Sequence, residues 1–271
     1  MNKTITIWFS STFAIFSTCL SFIPQDFFSR IWFEIPISSY WIETLNKIFF
    51  LFGIGLLIGI IIFLWINLRN SIIIKGHNYE IKIEYGDIFK IKNCNKVISF
   101  DECFSTEVGR LPHQIKPNSI CGQFLIKHKN INIRSLINEQ GLKPLTKRSK
   151  QMGKLCYPCG SLIAYDDYLL MAFAKLDEVS RANFSFSEYT DTLRNLWFEI
   201  YKYYNQSDVA IPVLGSGITR FNDTELTQQQ LIDIIIASYH LSPYKINNPH
   251  KLRIICKKAE SFSLNNIGKS I

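Results

Sequence analysis

A long run of hydrophobic residues without any charge lies near the start of the chain. No charged residue occurs between Ile48 and Leu68, a stretch of 21 residues. As an α-helix rising about 1.5 Å per residue, this stretch is long enough to cross a hydrocarbon core of about 30 Å. The pattern therefore predicts a membrane-spanning helix at residues 48–68.

A weaker hydrophobic segment at residues 5–24 is interrupted by serine and threonine side chains. A cleaved signal peptide is the alternative interpretation, because Lys3 precedes the segment, but no small-residue cleavage site follows it. We therefore predict a transmembrane hairpin within residues 1–76. Aromatic residues between the spans suit the headgroup boundary, and the basic residues near the span ends place both termini in the cytosol.

The pattern changes after residue 76 to alternating strand and helix signals. Strands are predicted at 79–85, 97–100, 168–174, 209–214 and 252–256, and for 168–174 a helix is the alternative. Helices are predicted from a cap at Ser187 to about Tyr204 and from about Thr227 to His240. Since strand, helix and strand follow one another at the end of the chain, we expect a parallel crossover and a sheet covered by helices. Residues 77–271 are thus predicted to form one α/β domain.

Composition narrows the classes of partner. The chain has 47% hydrophobic and 19% charged residues, which excludes a disordered polar chain. Its formal net charge is +8, which favours anionic partners such as nucleotides, nucleic acid or lipid headgroups. The basic stretch from Lys143 to Lys154 lacks interleaved aromatic residues, so a solvated loop is favoured over a nucleic-acid site. Seven cysteines at irregular spacing fit reduced thiols facing the cytosol.

A glycine-containing turn between the predicted strand 209–214 and the following helix is the first candidate for chemistry. It reads Leu-Gly-Ser-Gly-Ile-Thr-Arg over residues 214–220. Backbone amides in such a turn can hold phosphate oxygens, and ligands of α/β sheets gather beyond the carboxyl ends of strands. The turn lacks the lysine and the spacing of a P-loop, so a purely structural turn stays open. Arg220 would complement a diphosphate, or it is an ordinary surface arginine.

Four segments together resemble a known family. They lie at residues 84–88, 100–104, 117–123 and 212–220, and in this order and spacing they are similar to a macro domain. More narrowly, they resemble the ThsA effectors of type II Thoeris antiphage defence, in which two N-terminal membrane helices precede the macro domain. The resemblance covers about residues 77–260 and extends to the predicted hairpin.

The resemblance implies a three-layer α/β/α fold that binds ADP-ribose or a derivative of it. It assigns Asp87 to the adenine amino group, with Ile88 beside it. The loop that wraps the diphosphate and the distal ribose corresponds to Gly215, Ser216, Gly217, Ile218 and Thr219, with Arg220 next to it. In such systems a TIR-domain partner makes histidine-linked ADP-ribose, and ligand binding drives the membrane-bound effector to assemble as a homo-oligomer and to damage the membrane. The resemblance thus implies a multi-pass protein of the inner membrane with a cytosolic macro domain.

The sequence departs from the macro hydrolases that remove ADP-ribose. Those enzymes have an Asn-Ala-Ala-Asn run and a nearby glycine triplet, whereas residues 99–104 read Ser-Phe-Asp-Glu-Cys-Phe here. Without groups that orient a water molecule, binding is expected and catalysis is not. Asp101 either contacts a ribose hydroxyl or caps the end of its strand. Cys156 and Cys159 have no second pair, so we predict no metal, and we predict no catalytic residue.

Three hypotheses follow from the sequence. The leading one is a ligand-gated membrane effector without enzymatic activity or cofactor. A membrane-anchored ADP-ribosyl hydrolase is the alternative. A basic module that tethers nucleic acid to the membrane is the third, and the leading hypothesis expects no nucleic-acid partner.

Overall fold

The structure is a computed structural model that describes residues 23–29, 39–111, 113–150, 153–178, 181–217, 220–221, 226–259 and 262–267. It divides the chain into two compact units, with the boundary between Leu68 and Arg69. The sequence analysis placed this boundary after residue 76. The difference arises because a strand that begins at Ser71 was not among the predicted strands, the first of which begins at residue 79.

The first unit contains α1 (Gln25–Ser29) and α2 (Ser39–Asn67). Residues 41–64 of α2 have a mean hydropathy of 2.7, and no part of this window is buried. The helix is therefore long and apolar enough to cross a membrane, and it contains most of the predicted span 48–68. The predicted span 5–24 lies outside the described residues except for Ile23 and Pro24, so the hairpin stays a prediction.

α1 packs against α2 through aromatic and amide groups. Asn46 of α2 donates a hydrogen bond from Nδ2 to the carbonyl oxygen of Phe28 at 2.8 Å. The ring of Phe28 meets the ring of Phe50 edge to face at 5.5 Å. Because Asn46 is almost fully buried, this hydrogen bond satisfies a polar group that would otherwise be costly to bury.

The second unit is built on a mixed sheet. Its strands are β1 (Ser71–Lys75), β2 (Glu80–Tyr85), β3 (Cys94–Asp101), β4 (Leu162–Tyr165), β5 (Tyr168–Ala174), β7 (Asp208–Pro212) and β9 (Leu252–Cys256). The strand order is β1-β2-β9-β7-β3-β5-β4. β2, β9, β7, β3 and β5 are parallel, and the edge strands β1 and β4 are antiparallel to their neighbours. The short strands β6 (Asn183–Phe184) and β8 (Arg220–Phe221) pair separately.

Helices cover both faces of this sheet. They are α3 (Ile120–Lys127), α4 (Ile133–Glu139), α5 (Phe186–Tyr203) and α6 (Gln228–Leu241). Val97 of β3 belongs to the core cluster that contains Trp197 of α5, whereas its neighbour Ile98 belongs to the cluster that contains Phe124 of α3. Successive side chains of a strand point to opposite faces, so the two clusters lie on opposite sides of the sheet. The predicted three-layer α/β/α arrangement is confirmed.

Capping residues fix where two of these helices begin. The Ser185 hydroxyl accepts from the Glu188 amide at 3.2 Å, and the Glu188 carboxylate accepts from the Ser185 amide at 2.8 Å. The sequence analysis placed this cap at Ser187, which is wrong because the reciprocal pair requires a glutamate three residues after the cap. The predicted start of α6 at Thr227 is confirmed as an N-cap with the same reciprocal arrangement.

Buried strands were predicted better than edge strands and short helices. β5 and β9 have the predicted bounds, and the crossover from β7 through α6 to β9 is parallel as expected. β1, β4, α3 and α4 were missed. β1 has five residues like β9, but β1 and β4 are edge strands with partly exposed side chains, and α3 and α4 are too short to establish a helical periodicity.

Candidate functional site

A cleft opens at the edge of the sheet where the parallel strands end. Its volume is about 370 Å³, and the ends of β3, β5, β7 and β9 line it. Parallel strands bring their carboxyl ends to the same edge, which is where ligands of α/β sheets bind. Loops from distant parts of the sequence therefore meet here. The lining residues used below are Phe100, Asp101, His113, Lys116, Ser119, Cys121, Phe173, Leu176, Ala182, Gly215, Ser216, Gly217, Gln228 and Lys257.

The turn after β7 forms one wall of the cleft. Gly215 has a φ of +86°, and a Cβ atom there would approach the Phe221 ring at 3.1 Å. Only glycine adopts this conformation without strain. Ser216 closes the turn by donating from its hydroxyl to the carbonyl oxygen of Val213 at 2.7 Å. The turn is thus a fixed shape that requires glycine at one position.

The same turn lines the cleft with residues whose backbone amides have no acceptor among the described residues. Among the described residues, the amides of Gly215 and Gly217 donate to no backbone or side-chain acceptor. A Cβ atom added at Gly217 would have nothing within 4 Å, so this residue faces open space. Amides without internal partners in a concave turn are suited to phosphate oxygens. Tyr189 holds the turn from below by donating from its hydroxyl to the Leu214 carbonyl oxygen at 2.9 Å.

Asp101 lies at the end of β3, where the sequence predicted either a contact to a ribose hydroxyl or a cap of the strand end. Its Oδ1 accepts hydrogen bonds from the amides of Cys103 at 2.8 Å and Ser105 at 3.1 Å. The carboxylate therefore caps the end of the strand, and the residue also lines the cleft. A carboxylate that is held by two amides keeps a defined orientation toward the cleft.

Asp87 and Ile88 follow β2 and are not among the residues that line the cleft. Asp87 caps a short 3-10 helix (Ile88–Lys90) by accepting from the Phe89 amide at 3.0 Å. Ile88 is buried in a cluster with Ile255 and Ala210. Because Ile255 lines the cleft, Ile88 supports the cleft from behind. The adenine role of Asp87 stays a prediction.

Three predicted residues fall where the structure describes little or nothing. Ile218 and Thr219 lie outside the described residues. Arg220 is described only through its backbone, which pairs with Asn183 as part of β8. The turn is therefore described up to Gly217, and the roles predicted for these three residues stay predictions.

The N-terminus of α3 also lines the cleft. The sequence analysis named residues 117–123 in the resemblance but gave them no role in the site. The Ser119 hydroxyl accepts from the Gly122 amide at 3.0 Å. A Cβ atom at Gly122 would lie 2.2 Å from the Lys116 carbonyl oxygen, so glycine permits the close approach of the helix to the preceding segment. The signal was present in the Pro-Asn-Ser run at residues 117–119, which is typical of a helix start.

Charge and polarity are unevenly distributed in the cleft. Lys116 and Lys257 supply positive charge, and Asp101 is the acidic residue among the described lining residues. The N-terminal end of α3 adds a partial positive charge. Together these groups favour a ligand with more than one negative charge.

Apolar side chains line the part of the cleft near the end of β5. Phe173, Leu176 and Ala182 lie there, and Leu176 and Ala182 are joined by an antiparallel bridge. Burial raises the pKa of the Cys121 thiol well above its usual range. The thiol is therefore neutral and contributes to the apolar lining. The cleft thus combines a phosphate-binding wall with a surface that suits the flat face of a base or sugar.

Comparison with known proteins decides the family. Residues 81–257 match the family model described as "Thoeris protein ThsA, Macro domain". The Thoeris protein ThsA of Bacillus amyloliquefaciens strain Y2 is 30% identical over 229 residues, covering 79% of this chain and 75% of the relative. The chain belongs to the ThsA macro-domain family. The resemblance found in the sequence is thereby confirmed at the level of the family.

Solved macrodomains show distant likeness to this ThsA homologue. A mutant form of the Oceanobacillus iheyensis macrodomain has a TM-score of 0.46 and 11% identity, covering 70% of this chain and 90% of that one. The macrodomain of Thermus aquaticus DarG has a TM-score of 0.40 and 12% identity, with coverages of 66% and 98%. Family membership rests on the ThsA model and relative.

Proposed function

We propose that this chain is a membrane-anchored Thoeris effector whose macro unit binds an ADP-ribose-type signal. The observation that carries the proposal is the cleft at the carboxyl edge of the sheet, which Gly215 and Gly217 line with amides that have no acceptor among the described residues. The membership of the chain in the ThsA macro-domain family supports the same proposal. These amides, with Lys116 and Lys257, would hold the diphosphate. The apolar lining near Phe173 would contact the distal part of the ligand.

The signal we expect is histidine-linked ADP-ribose made by a TIR-domain partner. Binding would favour an assembled state of several copies, and assembly would disrupt the bilayer through the N-terminal helices. α2 supports the membrane part of this proposal, because it is an exposed apolar helix of sufficient length. The proposed location in a bacterial cell is the inner membrane, with the second unit in the cytosol.

Binding without turnover is favoured by the sequence around the end of β3. Residues 99–104 lack the Asn-Ala-Ala-Asn run and the glycine triplet of the macro hydrolases. Asp101 is the acidic residue among the described lining residues, and two backbone amides hold its Oδ1 while Oδ2 stays available. A general base needs a free acceptor within reach of the attacking water, so the hydrolase alternative is kept for the turnover test below.

Calorimetry on the full chain in detergent micelles tests the binding role. ADP-ribose and histidine-linked ADP-ribose are titrated into the protein and into two variants. Gly217→Glu should weaken binding at least about tenfold, because a carboxylate would enter the phosphate position. Since the site of its Cβ atom is empty, this variant should fold. Asp87→Ala should weaken binding if the residue contacts the adenine. Leu155→Glu, on an exposed loop position, is the charge control and should bind like the wild type.

The outcomes separate the parts of the proposal. Unchanged affinity of Gly217→Glu would remove the phosphate cradle, and unchanged affinity of Asp87→Ala alone would remove only the adenine contact. Release of free ADP-ribose from an ADP-ribosylated substrate would replace the binder with the hydrolase. Dye release from vesicles that contain the protein, measured with and without ligand, tests membrane disruption.

A further inference from the structure

β1 lies at the edge of the sheet and turns one row of its backbone groups away from the sheet. The Tyr85 amide donates to the carbonyl oxygen of Asn70, and the Gly76 amide donates to the carbonyl oxygen of Tyr79, both at 3.0 Å. Antiparallel strands alternate between residues that bond to the partner and residues that do not. Even-numbered residues of β1 therefore face β2, and Ser71, Ile73 and Lys75 face outward.

An independent contact supports this assignment. The carbonyl oxygen of Ser71 accepts from Nε of Arg69 at 3.2 Å, which is on the outer side of the strand. Within the described residues β1 pairs with β2 and with no other strand. The outward backbone groups of Ile73 and Lys75 are thus open to another strand.

The centre of β1 consists of three β-branched, uncharged side chains, which is typical of a strand with a neighbour on each side. Ile72 belongs to the main core cluster and Ile74 packs against it, while Ile73 on the other face is 48% exposed. β-Branched residues favour pairing, and natural edge strands usually carry charges or proline to prevent it. In β1 the single charge is at the end, on Lys75. An exposed isoleucine at the centre of an open edge strand indicates a surface that another strand covers.

We propose that β1 pairs with β1 of a second copy of this chain. The two strands run antiparallel across a two-fold axis, with Ile73 opposite Ile73 of the second copy. In this register each outward residue meets an outward residue, so both copies exchange backbone hydrogen bonds along the strand. Ile72 then meets Ile74 of the second copy, which extends the core across the interface. A slip by one residue would put Ile73 on the opposite face.

The charges of β1 are compatible with a second copy in this register. Lys75 of one copy stands opposite the small neutral side chain of Ser71 of the other, and it keeps its own neighbour Glu80 at 3.7 Å. Glu84, which pairs with Ser71 on β2, is already neutralised by Lys82 and Arg253. No like charges stand opposite each other. This inference deepens the proposed assembly by naming its surface, and it is tested separately from ligand binding.

The test uses the full chain in detergent micelles, with oligomeric state measured by native mass spectrometry over a concentration series. Ile73→Lys and Ile73→Glu should each raise the dimer dissociation constant at least about tenfold, because two like charges would oppose each other. An equimolar mixture of the two variants, distinguished by mass tags, should form mixed dimers. Ile126→Lys changes an isoleucine of α3 with similar exposure and should leave the dimer intact.

A second variant guards against a folding artefact. Ile73→Pro removes an amide that faces outward, which an edge strand tolerates, and it should abolish the dimer without lowering the melting temperature. A wild type that stays monomeric at all concentrations, with or without ADP-ribose, would overturn the inference. So would self-association of Ile73→Lys as tight as that of the wild type, which would place the contact elsewhere, for example on α2.

Ligand affinity is measured on the same samples. Ile73→Lys should bind ADP-ribose as the wild type does, because Ile73 does not line the cleft. A dimer that forms in a protein without ligand affinity would contradict the proposed function and support the β1 interface. Ligand binding by a strictly monomeric protein would do the reverse.

Discussion

The two edge strands of the sheet differ in whether their outward backbone groups have hydrogen-bond partners. On β4, the side-chain amide of Gln140 donates to the carbonyl oxygen of Ala164 and accepts from its amide, both at 2.8 Å. On β1, the outward groups of Ile73 have no such partner among the described residues. One edge is therefore closed by a side chain that imitates a neighbouring strand, and the other is left open.

The open edge shows where the protein retains backbone groups that another molecule can bind. A backbone group of a folded protein is satisfied by protein, water or a partner, so an open group at the surface is hydrated or available for a contact. The same holds for the turn after β7, where the amides of Gly215 and Gly217 lack an acceptor among the described residues and both residues line the cleft. An open edge and an open turn would serve a protein partner and a phosphate, respectively.

The largest effect is expected at the open turn. Gly215→Ala should destabilise the second unit by about 1–3 kcal/mol, because alanine is strained at positive φ and its Cβ atom would crowd the Phe221 ring. Thermal unfolding of the full chain in micelles should show a melting temperature lower by several degrees. Gly217→Ala is the matched control and should change the melting temperature little. Equal stability of both variants would show that the turn is not fixed by its backbone.

A smaller effect is expected at the closed edge. Gln140→Ala removes both hydrogen bonds to Ala164, which should cost about 1 kcal/mol because water can partly replace them at this exposed site. The opened β4 edge should also increase self-association in the concentration series. Gln140→Glu keeps the acceptor but loses the donor, so it should fall between the wild type and Gln140→Ala. If Gln140→Ala associates no more than the wild type, an open edge alone does not create an interface.

Acid should lower the stability of the second unit through two histidines, one near each edge of the sheet. Burial, together with Lys245, lowers the pKa of His240, which pairs with the Tyr79 hydroxyl beside the β1–β2 hairpin. Burial, together with Lys127, lowers the pKa of His128, which packs edge to face against Tyr165 of β4. A lowered pKa means that the unfolded chain takes up the proton first.

The two neutral histidines therefore contribute fully to the free energy of unfolding above the unfolded-state pKa of about 6.5. This contribution is lost as the pH falls from that value through their lower pKa values in the folded state. The melting temperature should decline from pH 7 toward pH 5. His240→Gln and His128→Gln should each flatten this decline. A slope that neither variant changes would assign the acid sensitivity to other groups.

The smallest effect on stability is expected for Asp101→Asn. The amide oxygen of asparagine can still accept from the amides of Cys103 and Ser105. The free energy of unfolding should therefore change by about 0.5 kcal/mol or less. Asp101→Ala loses these acceptors and should be less stable. If Asp101 also contacts a ribose hydroxyl, both variants should lose ligand affinity, whereas a role in capping alone predicts that Asp101→Asn binds normally.

Local sequence patterns were sufficient to predict the apolar helix, the alternating α/β order and the family. The uncharged run 48–68 is long enough to be unambiguous. The strands 168–174 and 252–256 consist mostly of buried residues, and burial on both faces requires hydrophobic residues at nearly every position. The glycine turn and Asp101 were likewise found from local residue types. Both can be recognised from the few residues that precede and follow them in the sequence.

The residues that surround the glycine turn and Asp101 could be identified only from the folded structure. The N-terminus of α3, His113 and Lys116 face the turn after β7 because the strand order β9-β7-β3-β5 brings distant loops to one edge. The open edge of β1 and the Gln140 contact that closes β4 also follow from strand order, which pairs residues far apart in the chain. No local pattern records such pairings, because each depends on which element the fold places beside another.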